Sequence, residues 1–295
     1  MMRYLLAVLI LLAAPAHAAP VVIGSKAFAE SYILAEAGAQ LLESRGFDVE
    51  RRFGLNGTQI AFGALANEEL DFYPEYTGTI AEVILLDPAL RELPDIRAAL
   101  GNQGFQLLEP LGFNNAYAIA ASTASAERHS LAKLSDLRDA PPLRIALPHE
   151  FLNRGDGWPG VQTHYGFRRE ADGIEHALAY EALAEDKVDI ISVYTTDGQI
   201  VRSDLVILED DRNFFPKYYA AFLARADADP AARETLEILS GLIDDRRMRE
   251  LNLDVLDPAV SYADVANQFL REAGLISADD RGRTVLDDLL RNTQR

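Results

Sequence analysis

Short apolar strands alternate with helical runs from the first residues after Pro20, and this alternation constrains the fold more than any other feature. Val21-Val22-Ile23-Gly24 reads as a strand. Glu30 to Ser44 follows with apolar Ile33, Leu34, Ala37, Leu41 and Leu42 at helical spacing, and Gly46 closes that helix. The unit recurs as a strand from Val49 to Phe53, a helix opened by Thr58 and carrying Ile60, Ala61, Ala64 and Leu65, and then Leu70-Asp71-Phe72-Tyr73. Such alternation predicts an α/β architecture around a largely parallel sheet. Further strands are predicted at Phe105 to Leu108, Tyr117 to Ala121, Arg144 to Leu147, Val188 to Val193, Leu205 to Leu208 and Tyr219 to Leu223. Helices are predicted at Leu131 to Leu137, Val161 to Tyr165, Ile174 to Ala184, Ala231 to Ile243, Tyr262 to Ala273 and Asp280 to Arg291. No repeat or low-complexity linker divides the chain, so two lobes would require it to cross between them more than once. The polar breaks Gly112-Phe113-Asn114-Asn115 and Asp210-Asp211-Arg212-Asn213 are the expected crossovers.

The stretch before this pattern reads as an address. Arg3 precedes an apolar run from Tyr4 to Ala14, and Ala16-His17-Ala18 supplies small residues for cleavage after Ala18. The run is about half of the ~20 residues a membrane span needs, and Pro15 breaks it. The expected product is therefore a periplasmic protein freed of residues 1–18. Cleavage removes one cation and no acid, leaving 27 Lys and Arg against 46 Asp and Glu, or −19. That balance repels polyanions and argues against nucleic acid or anionic lipid as partners. The absence of cysteine excludes a disulfide scaffold, a thiol nucleophile, Cys-ligated zinc, an iron-sulfur cluster and a lipid anchor on an N-terminal Cys.

Catalytic signatures are missing: there is no GxSxG elbow, Walker loop, GxGxxG or HExxH. His129, His149, His164 and His176 lack metal-ligand spacing and read as structural or surface residues. The adjacent acids Glu68-Glu69, Asp210-Asp211 and Asp244-Asp245 read as solvated charges at helix ends or turns. No enzyme activity, cofactor or metal is expected.

Tyrosines instead gather in loops flanked by turn residues, several of them directly after a predicted strand, where ligand crevices of open α/β sheets lie. The segments are Tyr73-Pro74-Glu75-Tyr76-Thr77-Gly78-Thr79, Asn114-Asn115-Ala116-Tyr117, Tyr194-Thr195-Thr196-Asp197-Gly198 and Phe214-Phe215-Pro216-Lys217-Tyr218. Together with Ile23-Gly24-Ser25-Lys26, Glu150-Phe151-Leu152-Asn153-Arg154 and Leu208-Glu209-Asp210-Asp211, they run in order through nearly the whole chain. In these segments the chain resembles the substrate-binding proteins of quaternary-amine ABC importers, the glycine betaine, proline betaine and choline osmoprotectant family.

The resemblance implies a type II periplasmic-binding-protein fold with two α/β lobes, two crossover strands and a ligand cleft between the lobes. Residues 19–113 and 214–295 would form lobe 1, and 114–213 lobe 2. It implies an aromatic cage on Tyr76, Tyr117, Tyr194 and Tyr218, because a trimethylammonium donates no strong hydrogen bond and is attracted by ring faces. It also implies a carboxylate site on Lys26, Thr79 and Arg154. Glu150 falls on a family acid near the cation end, and it also stands four residues before Arg154, where it could pair with that cation. Three positions depart from the pattern: Ser31 stands where many relatives carry Gln and leaves more room in the cleft, Gly155 replaces a charged residue, and Tyr219 replaces an acid. The implied function is capture of a quaternary ammonium ligand for permease and ATPase subunits, by a protein acting as a monomer. Glycine betaine or a related carboxylate-bearing betaine is the first expectation. Choline, carnitine or an ergothioneine-type ligand is the alternative, with a sensor subunit or an enzyme on the same scaffold behind it.

Overall fold

A computed structural model describes residues 19–277; the expected signal segment, 1–18, and the expected helix from Asp280 to Arg291 lie outside the described residues. The first half runs β1 (Val21–Lys26), α1 (Ala29–Ser44), β2 (Val49–Leu55), α2 (Thr58–Ala66), β3 (Phe72–Tyr76), α3 (Thr77–Thr79), α4 (Leu93–Gly101) and β4 (Phe105–Leu107). A π-helical turn, Ile80–Ile84, continues α3. The middle runs β5 (Tyr117–Ser122), α5 (Thr123–His129), β6 (Ile145–Pro148), α6 (His149–Asn153), α7 (Trp158–Tyr165), β7 (Asp172–Ile174), α8 (His176–Ala184), β8 (Ile190–Tyr194) and β9 (Leu205–Ile207). The chain closes with β10 (Ala220–Arg225), α9 (Pro230–Glu237), α10 (Asp245–Asp254) and α11 (Tyr262–Glu272).

These strands form two five-stranded sheets, ordered β2-β1-β3-β10-β4 and β7-β6-β8-β5-β9. Four strands of each sheet run one way. The exceptions are β10, antiparallel to β3 and β4, and β5, antiparallel to β8 and β9. Each is the first strand after the chain changes sheets, so the expected parallel sheets are mixed: a strand entering from the other lobe arrives from the opposite end. The two crossings pair with each other through an antiparallel Asn114–Tyr219 bridge and a Tyr218 N–H bond to Asn114 Oδ1 at 2.6 Å. Gly112 opens the first crossing at φ +121°, and a Cβ there would meet the Ile243 carbonyl at 2.8 Å. Glycine is the residue that fits on both counts.

Strand alternation sorts the core. Phe72, Ile119 and Phe222 face a cluster that also holds Phe113, Tyr117 and Phe151. Their neighbours point to outer layers, Tyr73 and Leu223 on the first sheet and Ala120 on the second. Some predicted boundaries move for identifiable reasons. The helix from Ala231 stops at Glu237 because Gly241, at φ +70°, turns the chain so that Gly241 and Ile243 donate to Pro110 and Leu111 beside the first crossing. The predicted helix from Leu131 shrinks to a 3-10 turn, Leu134–Arg138, since Asp136 draws the Ala132 and Lys133 amides onto its own carboxylate. Ile174 belongs to β7, not to the helix that follows. Two acid pairs are more than solvated charge. Asp210 accepts the Phe214 and Phe215 amides at 2.9 Å, and Asp244 caps α10 through the Arg247 amide at 2.7 Å.

Candidate ligand-binding site

Strand ends supply the site. Lys26 ends β1, Tyr76 ends β3 and Tyr194 ends β8, while α6, directly after β6, carries Glu150 and leads into Arg154. Because β5 runs against β8, its first residue, Tyr117, lies in register with Tyr194. This is the geometry that brings carboxyl-terminal strand ends to one crevice.

The predicted residues fall into two groups. In the first, Lys26 Nζ lies 2.5 Å from Glu75 Oε1, both side chains are buried, and the ammonium stands 5.0 Å from the Tyr76 ring centroid and 5.6 Å from that of Phe28. The Tyr76 hydroxyl donates to Glu30 Oε1 at 2.6 Å. Glu30 also accepts from Asn115 Nδ2 at 2.7 Å and Asn252 Nδ2 at 2.9 Å, and Asn252 donates in turn to the Thr196 carbonyl at 2.8 Å. One buried carboxylate thus joins α1, β3, the first crossing, α10 and the turn after β8. Burial raises its pKa against the pull of its hydrogen bonds, and its partners carry no positive charge.

The second group gathers three tyrosines. Tyr117 lies 5.1 Å from Tyr194 and 5.9 Å from Tyr218, the latter at 90°, so the Tyr117 and Tyr218 rings meet as the walls of a corner. Phe151 packs on Tyr117 at 4.8 Å and His176 on Tyr194 at 4.8 Å. Burial pushes the Tyr117 phenol up to about 12, with the Arg154 charge opposing it, and burial also lifts Tyr194 and Tyr218 far above the ordinary phenol range. All three rings therefore stay neutral near pH 7. Asp197 accepts the Tyr194 amide, the Tyr180 hydroxyl and His176 Nε2 at 2.8, 2.8 and 2.9 Å, which fixes the ring's base.

Arg154 stands 5.6 Å from the Tyr117 centroid and is gripped by Asp156 through Nε at 2.7 Å and Nη2 at 2.6 Å. Burial pushes the Asp156 carboxyl up, but the Arg154 hydrogen bond and charge outweigh it and hold the group below the ordinary 3.8. The Tyr218 hydroxyl donates to Asp156 as well. Glu150 pairs with Arg154 at 3.1 Å, the i to i+4 contact its spacing allowed.

Tyr76 has its ring contact with Phe28, at 6.2 Å, and is not among the ring pairs that join the other three tyrosines. Thr79 is buried at the end of α3, next to Gly78, where a Cβ would come within 2.6 Å of the Tyr218 ring. Ser31 is fully buried and accepts the Lys26 amide at 2.8 Å, so this departure fastens the end of β1. Gly155 is exposed with nothing near its Cβ position, and Tyr219 is partly exposed on the crossover bridge.

Sequence reasoning missed Glu30, Glu75, Phe151 and Asp156. Glu75 sits inside the tyrosine motif, and strand alternation from buried Tyr73 was a signal that it shares that buried face. Asp156 follows Arg154 by two residues, a spacing with no helical rule to flag it.

The family model for the substrate binding domain of the ABC-type glycine betaine transport system, OpuAC, matches residues 19–272. The chain belongs to this family. Its members are binding proteins of transporters, not enzymes. Among relatives, the ergothioneine transport permease/ergothioneine binding protein EgtU of Helicobacter pylori is 33% identical over 265 residues, covering 87% of this chain and 48% of the relative. This chain therefore spans about half of EgtU. The glycine-betaine-binding protein of Pseudomonas aeruginosa is 32% identical over 284 residues, 88% of this chain and 90% of that one. A solved glycine betaine/carnitine/choline ABC transporter structure superposes with a TM-score of 0.76 at 27% identity, over 86% of this chain and 99% of that one. Among the described residues no helix is long and apolar enough to cross a membrane.

Proposed function

We propose that this chain captures a small carboxylate-bearing quaternary ammonium compound, glycine betaine or a related betaine, and presents it to the permease and ATPase subunits of an ABC importer. The observation that carries the reading is the corner of Tyr117, Tyr194 and Tyr218 beside Arg154. Ring faces attract a trimethylammonium and bury its methyls, worth about 0.5–2 kcal/mol per ring when desolvated. A guanidinium 5.6 Å from one of those rings suits the carboxylate of a zwitterion whose two charges are a few bonds apart.

Of the described residues, 19–113 with 214–277 form one lobe in this reading and 114–213 the other. Tyr76 and Thr79 close on the ligand from the first lobe, with Lys26 supplying a charge already balanced by Glu75. Only the closed form completes both sets of contacts, so ligand binding shifts the lobes toward closure. The protein works as a periplasmic monomer without a lipid anchor, after cleavage behind Ala18. Kinship with EgtU favours ergothioneine, a bulkier betaine with the same two charged ends, as the second candidate.

A thermal-shift panel of betaines, choline, carnitine, ergothioneine and amino acids tests the class, since binding to the native state raises its melting temperature. Quaternary amines are expected to shift it, and Tyr194→Ala is expected to weaken calorimetric binding about 10-fold or more. No shift with any quaternary amine at millimolar concentration overturns the reading.

A further inference from the structure

Arg154 meets two carboxylates on different edges of its guanidinium. The Nε and Nη2 edge holds Asp156 in a paired fork of 2.7 and 2.6 Å, and Asp156 is buried and shared with the Tyr218 hydroxyl. The Nη1 nitrogen holds Glu150 alone, by one bond of 3.1 Å, and the Glu150 side chain is 64% exposed. A buried two-bond fork is a fixture, whereas an exposed single bond between residues four apart on the surface is weak and readily exchanged. A guanidinium has five N–H donors, so three bonds leave its Nη1 and Nη2 end with donors to spare. That end belongs to a cation 5.6 Å from the Tyr117 ring, in the proposed ligand corner.

We infer that Glu150 is a place-holder for the ligand's carboxylate: it occupies the Nη1 end of Arg154 until a zwitterionic ligand displaces it, while Asp156 stays in place and aims the guanidinium. The inference rests on the quaternary-ammonium reading and deepens it. Glu150 becomes a residue that sets specificity between ligand classes. A betaine competes with it for that end and suffers its negative charge near its own carboxylate. Choline, with no carboxylate, leaves the Glu150–Arg154 pair intact and is helped by the same charge. Glu150 therefore handicaps zwitterions relative to simple cations, and Asp156 does the reverse by keeping Arg154 oriented.

Calorimetric titration of the processed wild-type chain, Glu150→Ala, Glu150→Gln and Asp156→Asn with glycine betaine, carnitine and choline tests this. Both Glu150 variants are expected to bind the two betaines about two- to fivefold more tightly, the range an exposed ion pair allows, with choline unchanged or weaker. Asp156→Asn is expected to weaken the betaines. Glu150→Ala is an exposed substitution, so the test survives if the buried Asp156 variant folds poorly. Betaine affinity that falls in the Glu150 variants, stays constant, or moves in step with choline overturns the inference while leaving the functional reading standing. Wild-type protein that binds none of the three overturns both.

Discussion

On the first-lobe side of the site, Lys26 ends β1 and meets Glu75, whose side chain is wholly buried while that of Lys26 is 9% exposed. On the second-lobe side, Arg154 follows α6 and meets buried Asp156 on one edge and exposed Glu150 on the other. The first pair is buried: a compact ammonium and a carboxylate beside the rings of Tyr76 and Phe28. The second is half open, because a planar guanidinium can satisfy one carboxylate side-on and still offer its end to another. Two cations that look equivalent in sequence thus have different work. In the proposed reading Lys26 braces the first-lobe wall, and Arg154 offers its free edge to the ligand.

The largest effect that could break this contrast is on stability. Lys26→Ala leaves Glu75 as an uncompensated buried charge and is expected to cost about 3–5 kcal/mol in urea unfolding. Adding Glu75→Gln should recover part of that loss, whereas Glu150→Ala should leave the unfolding midpoint nearly unchanged. If Lys26→Ala were as mild as Glu150→Ala, the two cations would not differ as described.

A smaller effect joins the two sides. Gly78 on the first-lobe side lies against the Tyr218 ring, so Gly78→Ala forces the ring off its position on Asp156. An overpacking cost of about 1–3 kcal/mol is expected. Quaternary-amine affinity should fall with it by calorimetry, and unaltered affinity would separate Tyr218 from the site.

The smallest effect is in pH dependence, where the sides have opposite signs. Asp156 is held below its ordinary 3.8 by Arg154, so its stabilisation is present above that value and is lost as the pH falls through its folded pKa. Glu30 is raised above its ordinary 4.5 by burial among neutral partners, so its charge costs stability near neutrality, and that cost is relieved as the pH falls through the raised pKa toward 4.5. Glu30→Gln should remove the relief and Asp156→Asn the acid loss, in urea titrations at a series of pH values. The same slope in both variants would contradict the assignments.

Much of the fold was legible because it rests on periodicity. Alternation in Val21 to Phe53 announced β1, α1 and β2, and the first crossing passes through the expected break at Gly112–Asn115, whereas the two crossings pair at Asn114 and Tyr219, several residues beyond the expected second break at Asp210–Asn213. Strand direction was not legible: β5 and β10 have the same apolar pattern whichever way they run, and only their entry from the other lobe reverses them. Among the candidate residues, Tyr117, Tyr194, Tyr218 and Arg154 come together: Tyr194 ends β8, Arg154 follows α6 behind β6, and the reversed entry of β5 and the second crossing bring Tyr117 and Tyr218 to the same end. The Glu150–Arg154 pair was legible from its spacing, whereas Asp156 lies at a spacing no helical rule marks and Glu30 pairs across the fold, which leaves no local mark. Glu30 draws its hydrogen bonds from residues 46, 85 and 222 positions away.

The central claim is that three tyrosines and the open end of Arg154 form one ligand site. A crystal structure of the processed protein with glycine betaine tests it most directly. The account predicts the trimethylammonium against the rings of Tyr117, Tyr194 and Tyr218, with the carboxylate on the Nη1 and Nη2 end of Arg154 and Asp156 still on Nε. A carboxylate bound to Lys26 with Glu150 unmoved on Arg154, or an ammonium away from those rings, would contradict it.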